Sequence, residues 1–226
     1  VTQPTLRDLL GPGLTGLKHN VLPGLVLQTV ALLVVVAYAF VPAAHGILTE
    51  IGDIKLRYGY AYSALSTAFF GGVVPFAVLA FTGKVSPSQL LPNLLFYVGF
   101  WLWKGVEVDA FYRLQGVVFG NVANVTTIAA KAAVDQFVYN AFWAAPTQLV
   151  FFLWKDAEFS ISTVRGWLRQ ESLGRRVLVI LLSSWTVWIP ATVIIYSLPS
   201  ALQIPLFNLV LCFWSLLLSF VVRKTN

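Results

Sequence analysis

Charge is scarce in this chain. Of its 226 residues only 11% are Asp, Glu, Lys or Arg, while 58% are hydrophobic, and the mean hydropathy is +0.79. Soluble domains carry about 25% charged residues, so an ordinary water-soluble fold is excluded. Disorder is excluded by the same figures, because it requires polar sequence. A disulfide scaffold fails as well, since Cys212 is the single cysteine. Methionine is absent, which leads us to expect a processed or truncated chain whose targeting segment cannot be read. With His19 and His45 as the two histidines there is no HExxH pair, and one cysteine leaves no CxxC pair, so no metal site is expected. Neither a GxSxG elbow nor a Gly-rich phosphate cradle is present, and GPG at 11–13 reads as a turn. Glu107 and Asp109 stand two apart on a helix and point in different directions, unlike a catalytic carboxylate pair. No enzymatic activity and no cofactor are therefore expected.

What the chain has in quantity is apolar sequence. Crossing the roughly 30 Å hydrocarbon core takes about 20 mostly apolar residues in a helix. Uncharged stretches of 31, 26, 19, 19 and 46 residues lie between Lys18 and Glu50, Arg57 and Lys84, Lys84 and Lys104, Asp135 and Lys155, and Arg176 and Arg223. The last is long enough for two spans, with Pro199 and Pro205 marking the turn between them. The expected fold is all-α, a polytopic transmembrane bundle of about six helices near 21–48, 58–82, 88–113, 128–153, 177–197 and 203–222. Together they form a single integral membrane domain over 1–226, with 1–20 an interfacial N-terminal segment. Residues 157–176 read as a basic amphipathic connection, because Ile161, Val164 and Trp167 or Leu168 recur at helical spacing; an ordinary charged loop is the alternative.

Six spans put both termini on the same side. That side then holds ten basic residues, Arg7, Lys18, Lys84, Lys155, Arg165, Arg169, Arg175, Arg176, Arg223 and Lys224, against four opposite, Lys55, Arg57, Arg113 and Lys131. The excess agrees with the rule that positive loops stay inside. It also accounts for most of the net charge of +6, so these residues are expected to face lipid headgroups and not nucleic acid.

The third span departs from the apolar pattern by carrying Lys104, Glu107, Asp109 and Arg113. Ionisable residues inside a membrane mark candidate functional positions. At about 100° per residue, Lys104 and Glu107 share one face and Asp109 and Arg113 another, giving two self-neutralising pairs. They serve either to hold helices in register or to line a water-filled path. In the fourth span Gln136, Asn140 and Thr147 fall on one stripe, shared by Trp143, and Lys131 and Asp135 precede it. Amides in lipid need partners, and the charged third span is the expected one. A closed interhelical network explains the same residues as well as a hydrophilic path does. The second span carries small residues every four positions, Gly59, Ser63, Thr67 and Gly71, beside a second row of Ala64, Ala68 and Gly72. Such rows let helices approach closely, with Pro75 bending the helix just beyond. The eight tryptophans read chiefly as interfacial anchors.

In the C-terminal half, KAAVDQ at 131–136 and SSWTVWIP at 183–190, with Trp185, Trp188 and Pro190, are followed by Pro199 and by Trp214 fifteen residues later. These segments resemble the Mpv-seventeen and peroxisomal twenty-two-kilodalton membrane protein family. GD at 52–53, FFGG at 69–72 and Asp109 with Arg113 add short, loose matches. The resemblance implies a small integral membrane protein associated with passage of small solutes. This chain departs from the family at ATVIIY, which is apolar where the family carries polar residues, and at Gln203, which stands at its arginine position. A narrow small-solute channel and a non-catalytic structural subunit of a larger membrane complex are the two expected functions. Expected partners are membrane lipids and other membrane subunits or further copies of the chain. A bacterial inner membrane is the first expected location, a mitochondrial inner or peroxisomal membrane the second.

Overall fold

The computed structural model describes residues 6–170 and 172–221, with side chains over 20–169 and 172–216. It is all-α, and no strand occurs among the described residues. Among the described residues eight helices follow one another: α1 (Leu6–Phe40), α2 (Pro42–Tyr58), α3 (Tyr60–Phe81), α4 (Leu90–Phe119), α5 (125–156), α6 (Ile161–Gln170), α7 (Leu173–Tyr196) and α8 (Ser200–Val221). Among the described residues three helices are long and apolar enough to cross a membrane, over Asn20–Phe40, Tyr60–Phe81 and Leu173–Tyr196; a shorter apolar stretch covers Ser200–Leu216. Of the interfacial segment expected over 1–20, residues 1–5 lie outside the described residues, as do the side chains of 6–19.

Helix boundaries follow local chemistry. The single helix expected over 21–48 is two, because Pro42 forces Val41 into extended backbone (φ −110°, ψ 108°) and restarts the helix at its own N-terminus. The connection expected between 48 and 58 is itself helical, the body of α2. Gly59 ends α2 and begins α3 at φ +53°, a left-handed value that costs glycine little. Pro199 marks the α7–α8 turn as expected, whereas Pro205 sits inside α8.

Both α3 and α5 contain π-wound segments, Ala68–Val73 and Asp135–Ala144. Each ends just before a proline, Pro75 or Pro146. A proline ring clashes with the carbonyl four residues back, and winding that stretch more widely relieves the clash. The proline's effect thus falls upstream, across FFGG, and not beyond it.

The chain divides into two compact units, Val1–Leu25 with Ala132–Pro190, and Val26–Lys131 with Ala191–Asn226. In the first, Asn20 of α1 donates to the Ser183 carbonyl of α7 at 2.7 Å. Ala145, Val177 and Leu181 form one core cluster, and Leu153, Ala157 and Val164 another. Val164, Trp167 and Leu168 of α6 pack against the end of α5, while Ile161, expected on that face, is exposed. In the second unit α3 and α4 approach to backbone contact. A Cβ on Gly105 would land on the Ser63 carbonyl, and one on Gly72 would come within 2.9 Å of the Tyr97 carbonyl oxygen. Gly71 would meet Leu211 of α8 at 2.7 Å and Trp101 of α4 at 2.8 Å. The small residues of α3 are buried accordingly, Ser63 and Thr67 completely, with Ala64 and Ala68 beside them.

Candidate functional site

The charges of α4 resolve into two sets within the second unit. Asp109, 1% exposed, lies one helical turn from Gly105, where α3 is closest. Its carboxylate accepts from Lys55 Nζ on α2 at 2.7 Å and from Ser63 Oγ on α3 at 2.8 Å. Arg113, one turn further along α4, donates through Nε at 3.1 Å and through Nη2 at 3.3 Å. Four donors thus fill both carboxylate oxygens, and the trio of Lys55, Asp109 and Arg113 carries one net positive charge. Lys55 is 4% exposed, whereas the Arg113 side chain is 47% exposed and its guanidinium stacks 4.4 Å from the Tyr60 ring.

The second pair, Lys104 and Glu107, closes at 2.7 Å, with the ammonium 4.8 Å from the Trp103 ring. Both i,i+3 and i,i+4 pairs therefore form on the spacing that the helix dictates. The partners of Asp109 on other helices, however, come from α2 and α3 and not from the fourth span. Lys55 and Lys131, counted above among loop cations, are buried inside the second unit; Lys131 Nζ lies 5.8 Å from the Tyr196 ring.

Two further polar bridges join helices of this unit. Asn208 of α8 accepts from Thr67 Oγ1 at 2.8 Å and donates to Ser66 Oγ at 2.8 Å. Gln115 of α4 donates to the Tyr196 hydroxyl at 2.6 Å. Lys55, Gln115, Tyr196 and Asn208 are the residues that sequence reasoning passed over. An amide in the middle of a mostly apolar helix, as Asn208 is in α8, is the signal that was there to be read, since an amide in lipid demands a partner.

The polar stripe of α5 is differently built. In the first unit, Gln136 Nε2 donates to Asp135 at 2.8 Å, and Asn140 Nδ2 donates to Gln136 Oε1 at 3.1 Å. Thr147 donates to the Trp143 and Ala144 carbonyls at 2.7 and 3.1 Å. Asp135 and Gln136 are buried and Asn140 is half-buried, but Trp143, expected on the same stripe, is 51% exposed. The π winding of Asp135–Ala144 breaks the 100° step on which that stripe was drawn.

Of the residues on which the resemblance was drawn, Trp185, Trp188 and Pro190 lie within α7, Pro199 in the turn that follows and Trp214 on α8. Trp185 sits mid-helix, its ring edge-on to Phe137 of α5 at 5.2 Å. Among the described residues no cluster of three or more His, Cys, Asp or Glu side chains stands close enough to hold a metal ion. The chain matches no family model, no curated protein and no solved structure.

Proposed function

We propose that this chain is a polytopic integral membrane protein in which buried charge locks helices together and performs no catalysis. In this reading α1, α3, α4, α5, α7 and α8 are the six spans, and both termini share one side. Helix α2, too short and too charged to cross, and the amphipathic α6 lie outside the core of the bilayer. α4 and α5 are long enough to span, and ion pairing within α4 lowers the cost of its charges. The outward apolar side chains support a lipid-facing exterior, with Phe81, Val117, Phe142 and Phe40 all more than three-quarters exposed. The resemblance of the C-terminal half to the Mpv-seventeen family points the same way, with a bacterial inner membrane as first location and an organellar one as second.

The function best supported is that of a non-catalytic subunit that presents helix faces to lipid and to partner helices in a larger membrane assembly. The closed coordination of Asp109 carries this reading, because a carboxylate with both oxygens filled and 1% exposure has no capacity left for a passing solute. Native mass measurement after gentle detergent extraction tests it. Stoichiometric co-purification with a larger assembly is expected; a lone monomer or a homo-oligomer overturns it.

A second reading, a narrow small-solute path, rests on the half-buried Asn140 and the π-wound stretch of α5. Purified protein in planar bilayers then shows discrete conductance that Asn140→Leu alters and that Lys104→Met leaves unchanged. A silent bilayer at high protein density removes this reading.

A further inference from the structure

The joint between α1 and α2 is closed by a histidine ring. Pro42 has no N–H, so the amide that would return one turn back to the Tyr38 carbonyl is missing. The imidazole of His45, in the first turn of α2, takes its place, with Nδ1 at 3.0 Å from that carbonyl oxygen. A carbonyl only accepts, so Nδ1 carries the hydrogen and donates. The same ring stacks on the ring of Tyr38, their centroids 4.5 Å apart and their planes 16° from parallel. Thr49 Oγ1, one turn along α2, donates to the His45 carbonyl at 2.8 Å.

Little else fixes this joint. Among the described residues no other side-chain hydrogen bond and no ion pair ties residues 38–40 to α2. Phe40, Val41 and Ile47 are exposed, and a Cβ added at Gly46 would meet nothing within 4 Å.

Every group that the His45 ring touches is electron-rich. A carbonyl oxygen, the face of a phenol ring and the C-terminal end of a helix each hold an imidazolium better than a neutral imidazole, through charge-assisted hydrogen bonding, cation–π attraction and the helix dipole. Neighbouring charges do not oppose this. α1 carries no charged residue over Asn20–Phe40, and neither do the helices packed on α2, α3 over Tyr60–Phe81 and α8 over Ser200–Leu216. Their tyrosines and Cys212 are neutral between pH 5 and 8. On α2 itself the nearest charges in sequence are the exposed carboxylates of Glu50 and Asp53. Lys55, about three turns beyond His45, is bound to Asp109 of α4, and Arg57 lies further on.

Histidine is the side chain whose charge changes between about pH 5 and 8. We propose that His45 is a proton-sensitive latch on the α1–α2 joint, engaged on the Tyr38 carbonyl and ring when protonated and released more often when neutral. Closure is therefore tightest at low pH and weakens as pH rises through that window. Lys55 anchors the far end of α2 on α4, so the freedom gained falls at residues 38–42. The inference rests on the geometry of this joint and on neither reading of function.

The test uses the full chain purified in mild detergent, with Cys212→Ser removing the native thiol and spin labels on Leu33→Cys of α1 and Ile54→Cys of α2, both exposed positions. Pulsed electron resonance reads the distance distribution between the labels at pH 5 and at pH 8. A single narrow distance is expected at pH 5, and at pH 8 a share of displaced distances about fivefold larger, as loss of a cation at a helix C-terminus implies. His45→Asn, which places an uncharged N–H near the position of Nδ1, loses the pH response. His45→Phe, which keeps the stack and removes the donor, shows the displaced share at both pH values. In a chain carrying His19→Gln, His45 is the one histidine, and nitrogen-15 resonances of its ring show the hydrogen lost on neutralisation leaving Nε2 and not Nδ1. His45 is exposed, so unchanged helix content by circular dichroism accompanies each variant. Identical distributions at the two pH values in the labelled parent overturn the latch. So does a pH response that survives in His45→Phe, which assigns it to Glu50 or Asp53, and so does a neutral ring protonated on Nε2.

Discussion

Helices α4 and α5 contain similar polar inventories and use them in opposite ways. On α4, Asp109 and Gln115 reach other helices, binding Lys55, Ser63 and Tyr196 across distances of 46 to 81 residues in sequence. On α5, Gln136 bonds to Asp135, Asn140 bonds to Gln136, and Thr147 bonds to carbonyls one turn back, all along one helix. A buried polar group with its partner on a neighbouring helix fixes that neighbour's position. One satisfied by its own helix only lowers its own cost of burial. The glycine contacts reinforce the contrast, for α3 and α4 meet where Gly105 and Gly72 leave room for backbone against backbone. By this measure α4 is the keystone of the second unit, whereas the hydrogen bonds of Gln136, Asn140 and Thr147 described above run along α5 itself.

Substitutions should separate the two helices in a graded order. Asp109→Ala leaves Lys55 buried without its carboxylate, and breaking a buried pair costs about 3–5 kcal/mol. Unfolding in a denaturing-detergent titration reads this. Lys55→Met together with Asp109→Leu should recover most of the loss, because an apolar pair replaces a salt bridge at little cost. Stability of Asp109→Ala equal to wild type would dissolve the contrast at once. Next, Gly105→Ala drives a methyl into the Ser63 carbonyl and should cost about 1–3 kcal/mol by overpacking, with α3 forced away from α4. A cysteine cross-linking pair placed across α3 and α4 would report the wider spacing. Asn208→Leu leaves the Thr67 hydroxyl without its acceptor and takes a donor from Ser66 Oγ, and should cost up to about 1.7 kcal/mol, the upper range for interhelical hydrogen bonds in membranes. Smallest of all, Asn140→Leu should change the unfolding midpoint by no more than about 0.6 kcal/mol. A larger loss there than at Asn208 would mean that α5 also holds a neighbour through its stripe.

The sequence made some of this legible for definite physical reasons. The four-residue spacing of Ser63, Thr67 and Gly71 survives into the structure as a buried row, whereas Gly59, which heads it, is half-buried at the break between α2 and α3. The pairs Lys104–Glu107 and Asp109–Arg113 could be drawn in advance, since i,i+3 and i,i+4 contacts depend only on helical winding. What could not be drawn was the approach of Lys55, which comes from a helix where a loop was expected. Counting lysines by sequence position treats every one as solvent-facing, and only the fold shows which are inside. The error at Trp143 has another cause. Angular arithmetic assumes one winding throughout, and π-wound Asp135–Ala144 does not keep it. Pro146 announces that change to a reader who expects a proline's strain to be relieved on its N-terminal side. Pro42, likewise, announces the break at Val41.

The salt bridge between Lys55 and Asp109 also carries a consequence for assembly. The chain is made from its N-terminus, and 54 residues separate the two partners, a stretch that includes the whole of α3. Until α4 emerges, Lys55 lacks its Asp109 partner and its ammonium stays hydrated, since burying an unpaired charge is costly. The buried contact of Lys55 with Asp109 therefore forms only after α4 has been made. Birth order thus gives a static ion pair a direction: the lysine leaves water when the carboxylate arrives.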